Sequence, residues 1–166
     1  MMPFALPKLL SPEQCADIIR RSPNQNIKMS MEPYQLTPGK WTTAEWSKLR
    51  KQHNNNRVRL EQDSATHISN MLEPIDTPSK TVTVSNNDKF YLNVYGAGEK
   101  CIEHMDSSKY SICISLNDDY EGGEFYVNRK PIKLGTGDGI IFSGKTLHNV
   151  TEITAGVRWS LCIWIF

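Results

Sequence analysis

The sequence predicts a mainly β protein, a barrel or sandwich of short strands with helices concentrated in its N-terminal half. Three observations predict it. TVTV, KFYLNVY, YSICISL, GEFYVN, GIIFSG and RWSLCIWIF follow one another between residues 81 and 166, rich in β-branched and aromatic residues and often alternating. The breaks between them carry turn chemistry: Ser-Asn-Asn-Asp, Asn-Asp-Asp, Gly-Gly and Gly-Thr-Gly-Asp-Gly. No strand–helix–strand alternation appears, which argues against a parallel doubly wound sheet.

The elements follow in order. Ser11-Pro12-Glu13-Gln14 reads as a helix start, with Ser as N-cap, Pro in the first helical position and Gln closing a capping box. That helix carries Ile18 and Ile19 and should stop near Ser22-Pro23. Thr42-Thr43-Ala44-Glu45 opens a second helix through Trp46 and Leu49. A third is expected from about Leu60 to Leu72, with Ala65, Ile68 and Leu72 on one face and Glu73-Pro74 ending it. Residues 1–80 thus read as mainly helical. Gly135–Gly139 reads as a hairpin turn setting up the strand before His148, not as a dinucleotide fingerprint, because no helix follows.

With 166 residues the chain is expected to form one domain over 1–166, a helical support layer at about 1–80 and a β core at about 81–166. A net charge of +1 gives no general pull toward nucleic acid or an acidic membrane. The basic stretch Lys48, Arg50, Lys51, His53, Arg57, Arg59 reads as a solvated helix face. No apolar run approaches membrane-spanning length, and MMPFALPKLLSPEQ lacks the apolar core of a secretory signal. Asn149-Val150-Thr151 matches a glycosylation sequon, read as coincidental without such a signal. Cys15, Cys101, Cys113 and Cys162 are scattered and form no CxxC, so they read as reduced core cysteines of a cytoplasmic protein.

Of the four histidines, His53 and His67 sit on expected helices and read as surface or structural. His104 differs, because Asp106 shares its face of an extended segment. By itself a His-x-Asp pair fits two solvated polar residues as well as a metal site. With His148, which follows GIIFSG through a short turn, it makes two imidazoles and one carboxylate. That set suits non-heme Fe(II), whereas structural zinc would want four ligands. Arg158 lies ten residues further on, among Val157, Leu161 and Ile163. A guanidinium there is costly unless it meets an anion, either a protein carboxylate or a bound one.

Together these stretches resemble the 2-oxoglutarate/Fe(II)-dependent dioxygenases, specifically the prolyl 4-hydroxylase-like branch. The matching residues are Tyr95-Gly96-Ala97-Gly98, His104-Met105-Asp106, Ser115 through Phe125, Gly137 through Phe142, His148-Asn149-Val150, Gly156 through Ser160, and Trp164. The resemblance covers residues 87–166 and implies a double-stranded β-helix (jelly-roll) barrel with flanking α-helices. It implies that His104, Asp106 and His148 ligate Fe(II) and that Arg158 pairs with the distal carboxylate of 2-oxoglutarate. Tyr95 would line the cosubstrate pocket, and Asn93 and Ser160 would assist or serve as satisfied core polar residues. Cys101 stands where many relatives carry an aromatic. Arg158 stands where many prolyl 4-hydroxylases carry lysine. Ile114 or Ser115 replaces a tyrosine, with Tyr110 expected to fill part of its volume.

The activity implied is hydroxylation of a C–H bond with O2, releasing succinate and CO2, with ascorbate as reductant. The substrate is a prolyl or other amino-acid residue of a protein or peptide, or a small molecule, and the loops around 76–86 and 107–110 should shape the choice. Two alternatives stay open. Asn93-Val94-Tyr95 echoes the motif of AlkB-type nucleic-acid demethylases, although the second arginine of that family is replaced by Trp164. A non-catalytic cupin-like module would bind an acid or sugar without turnover.

Overall fold

The computed structural model describes residues 1–24, 29–31, 34–36, 57–60 and 62–166. Its strands are β1 (Phe4–Leu6), β2 (Met29–Met31), β3 (Tyr34–Leu36), β4 (Arg57–Leu60), β5 (Ile75–Asp76), β6 (Thr81–Val82), β7 (Lys89–Tyr95) and β8 (Cys101–His104). They continue with β9 (Tyr110–Ser115), β10 (Glu121–Gly122), β11 (Phe125–Val127), β12 (Lys130–Ile132), β13 (Gly139–Ser143), β14 (His148–Val150), β15 (Ile153–Ala155) and β16 (Arg158–Ile165). Two described helices, α1 (Pro12–Asn24) and α2 (Gln62–Ser69), complete the set.

An eight-stranded antiparallel sheet runs in the order β1-β13-β9-β16-β7-β4-β2-β3, and a four-stranded sheet in the order β12-β11-β14-β8. Together they form the jelly roll that the resemblance implies. Alternation along the large sheet explains its two faces. Phe90, Leu92 and Val94 of β7, Ile112 and Ile114 of β9, and Leu161 and Ile163 of β16 pack with Leu10, Cys15 and Ile18 of the N-terminal segment and with Ala65 and Ile68 of α2. The intervening residues face the small sheet, where Tyr95 and Cys113 join Phe125, Val127, Phe142 and Val150. Helices therefore cover one face of the large sheet and the small sheet covers the other.

The Ser11 capping box forms as expected: Ser11 N–H donates to Gln14 Oε1 at 2.9 Å, and Gln14 N–H donates to Ser11 Oγ at 3.1 Å. The helix it opens runs to Asn24, a little past the expected stop. Three expectations need correction. Residues 1–80 are not mainly helical where described, since five strands and the backbone ladder of β4 with β7 lie there. The helix expected over 60–72 is α2 alone. Leu60 closes β4, and only hydrogen-bonded turns carry the chain on to Leu72. Local pattern favoured helix there, but Arg-Val-Arg-Leu alternates and extends the large sheet.

Gly135–Gly139 is not a hairpin turn. It carries the chain from β12 in the small sheet to β13 in the large one. Gly137 has φ +87°, and a Cβ there would meet the Leu10 carbonyl oxygen at 2.1 Å. The helix expected from Thr42 and most of the basic stretch lie outside the described residues. No described helix is long and apolar enough to cross a membrane.

Candidate metal centre

Strand β8 ends on His104, and the chain then turns through Met105 to Asp106. In the neighbouring strand β14, His148 stands directly opposite His104. The two imidazole centroids are 4.2 Å apart. His104 Nδ1 bonds the Ile102 carbonyl at 2.7 Å, and His148 Nδ1 bonds the Thr146 carbonyl at 2.9 Å. A carbonyl only accepts, so each Nδ1 carries a hydrogen, which leaves Nε2 as the atom each ring can offer to a metal. Both Nε2 atoms face Asp106, at 3.5 Å from Oδ1 and 3.5 Å from Oδ2 respectively. The ligand atoms of His104, Asp106 and His148 all lie within 4.8 Å of one another.

Both the backbone and the side chain of Asp106 are held. Its N–H donates to the Gly144 carbonyl at 2.8 Å, and Gly144 N–H donates to the Lys109 carbonyl at 3.1 Å. Gly144 has to be glycine, because a Cβ there would sit 2.0 Å from the Ser108 carbonyl oxygen. Ser111 on β9 donates its hydroxyl to Asp106 Oδ2 at 2.5 Å, with Ser108 Oγ 2.8 Å behind it. Burial would raise the Asp106 carboxyl, but its contacts with His104, His148 and Ser111 outweigh burial and hold it well below the carboxylate range. His104 is pushed up to about 10, first by the Asp106 carboxylate and then by Cys101, against its partial burial. Two imidazole nitrogens and one carboxylate on one side of a cavity are a donor set that fits a divalent transition metal, with positions left open toward the space.

That cavity has a volume of about 460 Å³. Its floor is the small-sheet-facing side of β7, β9 and β16. Arg158 is 4% exposed and stands opposite Tyr95 in the ladder. Its Nη1 donates to Ser160 Oγ at 3.1 Å, while its Nε has no partner among the described residues. No described carboxylate pairs with Arg158 either, so among the described residues the guanidinium is a buried cation suited to an anion. Gly123 makes room for it: a Cβ there would meet Ile153 Cδ1 at 2.3 Å and Arg158 Cδ at 3.3 Å. Asn93 shares this face. Its Nδ2 donates to Cys162 Sγ at 3.0 Å, and its buried Oδ1 is unpartnered among the described residues. Burial, with Cys101 nearby, raises the Tyr95 phenol well above its usual value, so Tyr95 stays a neutral donor.

The cavity thus brings together all seven residues singled out: His104, Asp106, His148, Arg158, Tyr95, Asn93 and Ser160. His67 is apart from it, paired with Asp17 at 3.0 Å. Tyr110 does not fill the pocket; it packs toward the helix-facing core. Residues 105–107 line the cavity, whereas none of its described lining falls in 76–86. Arg57 is a further correction. It lies on β4, not on a solvated helix face, and lines the cavity with its guanidinium 4.5 Å from the Tyr91 ring centroid and 4.7 Å from that of Trp164. Ser111 and Gly144 went unread too. The available signal was the row Ser111, Cys113, Ser115, small polar residues at alternate positions of an otherwise apolar strand.

Residues 90–166 match the family model of the 2OG-Fe(II) oxygenase superfamily. A PKHD-type hydroxylase of Rhizorhabdus wittichii is 35% identical over 92 residues, covering 44% of this chain and 40% of that protein. A PKHD-type hydroxylase of Idiomarina loihiensis is 23% identical over 161 residues, covering 85% of this chain and 71% of that protein. The chain therefore spans well under two thirds of the first of these. Among solved structures, the viral collagen prolyl hydroxylase of Paramecium Bursaria Chlorella virus-1, in a 2OG complex, shares the fold. It superposes with a TM-score of 0.56 at 16% identity, covering 99% of this chain and 94% of that one.

Proposed function

We propose that the chain, whose residues 90–166 match the family model of the 2OG-Fe(II) oxygenase superfamily, is a hydroxylase using Fe(II), 2-oxoglutarate and O2. One observation carries the reading. Three donors of facial-triad type converge at a cavity that also holds a buried guanidinium with no described carboxylate partner.

His104 Nε2, Asp106 and His148 Nε2 would hold the iron, which supplies the oxygen-activating chemistry when bound. The protein's own groups then do four things. The Ile102 and Thr146 carbonyls keep each imidazole in the ligating tautomer. Ser111 and Gly144 aim the carboxylate. Arg158 pairs with the distal carboxylate of 2-oxoglutarate, with Ser160 bracing the guanidinium and the neutral Tyr95 and Asn93 beside it. The buried floor limits water around that charge pair, which strengthens it. Oxidation of a C–H bond with release of succinate and CO2 would complete the proposal, with ascorbate as reductant. The substrate, a prolyl or other residue in a protein or a small metabolite, would enter past the exposed Ile102 and Met105 at the cavity's metal end.

The proposal treats residues 1–166 as one working domain, since Leu6, Leu10 and Ile18 share a core with the large sheet. It places the domain in a reducing compartment such as the cytoplasm, consistent with four unbridged cysteines.

Succinate formation from 2-oxoglutarate under Fe(II) and ascorbate tests the reading, followed by a search for products one oxygen heavier. Iron binding without succinate would favour a binding module. One observation keeps nucleic-acid demethylation as a second reading: Arg57 places a guanidinium over Trp164, the position that lacks the second arginine of that family. Turnover of methylated single-stranded DNA, or its absence, decides it.

A further inference from the structure

Two thiols face each other on the cavity floor. Cys113 on β9 and Cys162 on β16 are directly opposed in the ladder, so their side chains leave the sheet on the same face. Both line the cavity, and their Sγ atoms are 3.2 Å apart. Opposed Cα atoms of an antiparallel pair lie about 4.5–5.5 Å apart, inside the roughly 4.4–6.8 Å that a disulfide spans. The register thus sets the two residues at a separation a bridge can span, and the Sγ atoms have to close from 3.2 Å to about 2.05 Å. Cys101, the third thiol on the cavity, belongs to the opposite sheet and contacts the Ile102 carbonyl and His104 Nδ1 instead. Cys15 is buried in the helix-facing core.

We propose that Cys113 and Cys162 form an oxidative modification site, a dithiol that peroxide converts to a disulfide across the cavity floor. One thiol sulfur attacks the peroxide O–O bond, which breaks to leave a sulfenic acid and one water. The facing sulfur attacks that sulfenic sulfur, the S–O bond breaks, and a second water leaves with the remaining thiol proton. In sum two thiols and one hydrogen peroxide give one disulfide and two waters: the sulfurs lose two electrons and the peroxide gains them. The partner is already in contact, so closure is intramolecular and outruns the climb to sulfinic acid. A cavity suited to oxygen chemistry would expose its floor to such oxidants. The pair turns an irreversible lesion into a bond that an external thiol reopens. The inference concerns the metal-free chain and stands whether or not the oxygenase reading holds.

The test treats the full, metal-free chain with a few equivalents of hydrogen peroxide. Intact mass should fall by two hydrogens, and a non-reducing peptide map should join Cys113 to Cys162. Dithiothreitol should reverse both. The unfolding midpoint should rise by roughly 5–10 °C, as expected for closing a loop of this length. Cys113→Ser and Cys162→Ser should each abolish the mass loss and the midpoint rise, and Cys101→Ser should keep both. If either variant at the pair misfolds, counting reactive thiols in the unmodified chain decides instead, because peroxide should remove two together. Oxygen added to a single cysteine, bridges between chains, a bridge involving Cys101 or Cys15, or no loss of hydrogen at excess peroxide would overturn the proposal.

Discussion

The two walls of the cavity are built on different principles. The metal wall is β8, β14 and the loop between His104 and Lys109, and much of it is open to solvent: Ile102 is 73% exposed and the His104 side chain 35%. Short-range bonds hold its donors, each imidazole to a carbonyl two residues earlier and Asp106 to Gly144. The opposite wall is the floor of the eight-stranded sheet. Arg158, Ser160, Asn93 and Tyr95 are buried there, fixed by a ladder whose other face packs on helices. The contrast teaches that a change in the metal wall should cost chemistry and spare the fold. Loss of the floor's buried charge should cost the proposed cosubstrate and spare the fold too, whereas the apolar side chains behind the floor carry the stability.

The largest effect should come from the metal wall. Asp106→Ala removes the carboxylate that both imidazoles face, and Fe(II) affinity measured anaerobically by calorimetry should fall at least about 100-fold. The unfolding midpoint should barely move. Unchanged affinity would remove the metal centre from this wall.

Next comes the floor. Arg158→Met keeps much of the side-chain stem and deletes the charge. Affinity for 2-oxoglutarate should fall roughly 100-fold, as when one partner of a buried charge pair is removed, while Fe(II) affinity stays within about threefold. Without cosubstrate the variant should unfold no earlier than the parent, because Arg158 meets no described carboxylate. A large loss of midpoint would mean that the guanidinium holds the sheet together and is not reserved for a ligand.

Gly144→Ala probes how the loop is aimed. The added methyl meets the Ser108 carbonyl, so the segment bearing Asp106 must shift. Fe(II) affinity should drop about tenfold, the size seen when support of a ligand is lost, with 2-oxoglutarate affinity following only through the metal. Affinity equal to the parent's would show that the loop tolerates displacement.

The walls were also unequally legible in the sequence. His104, Asp106, His148 and Arg158 could be singled out because His104 and Asp106 are spaced i, i+2, His148 follows GIIFSG through a short turn, Arg158 interrupts an apolar strand, and their order resembles a known family. The floor's strands could be read too, since KFYLNVY and RWSLCIWIF declare themselves by composition. What could not be read depends on which strand lies beside which. Arg57 looked like part of a basic helix, and only its pairing opposite Asn93 brings it to the cavity. Cys113 and Cys162 are 49 positions apart, and nothing local says that they face each other. Of the strands missed in the C-terminal half, β10, β12, β14 and β15 are two or three residues long, too short for alternation to register. Pro131 on β12 argues against a strand by composition, yet β12 is an edge, where proline costs no ladder bond.

The smallest expected effect lies outside both walls and tests whether the helical layer is only a support. Asp17 on α1 contacts His67 of α2 at 3.0 Å, Arg20 at 2.6 Å and Arg21 at 3.1 Å. These contacts, His67 first, lower its carboxyl from 3.8 to about 2. A folded value below the unfolded one means that the ionised carboxylate favours the folded state. The contribution is therefore present above about pH 3.8 and drains away as pH falls toward 2. Arg20 is 66% exposed, so solvent screens the cluster and its worth stays below about 1 kcal/mol. Asp17→Asn should lower the unfolding midpoint by about 1–3 °C at neutral pH, with the gap from the parent closing as the pH is taken down toward 2. Fe(II) affinity should not change. A gap that persists at low pH would trace the effect to packing, not charge, and a shift in metal affinity would tie the helical layer to the metal wall.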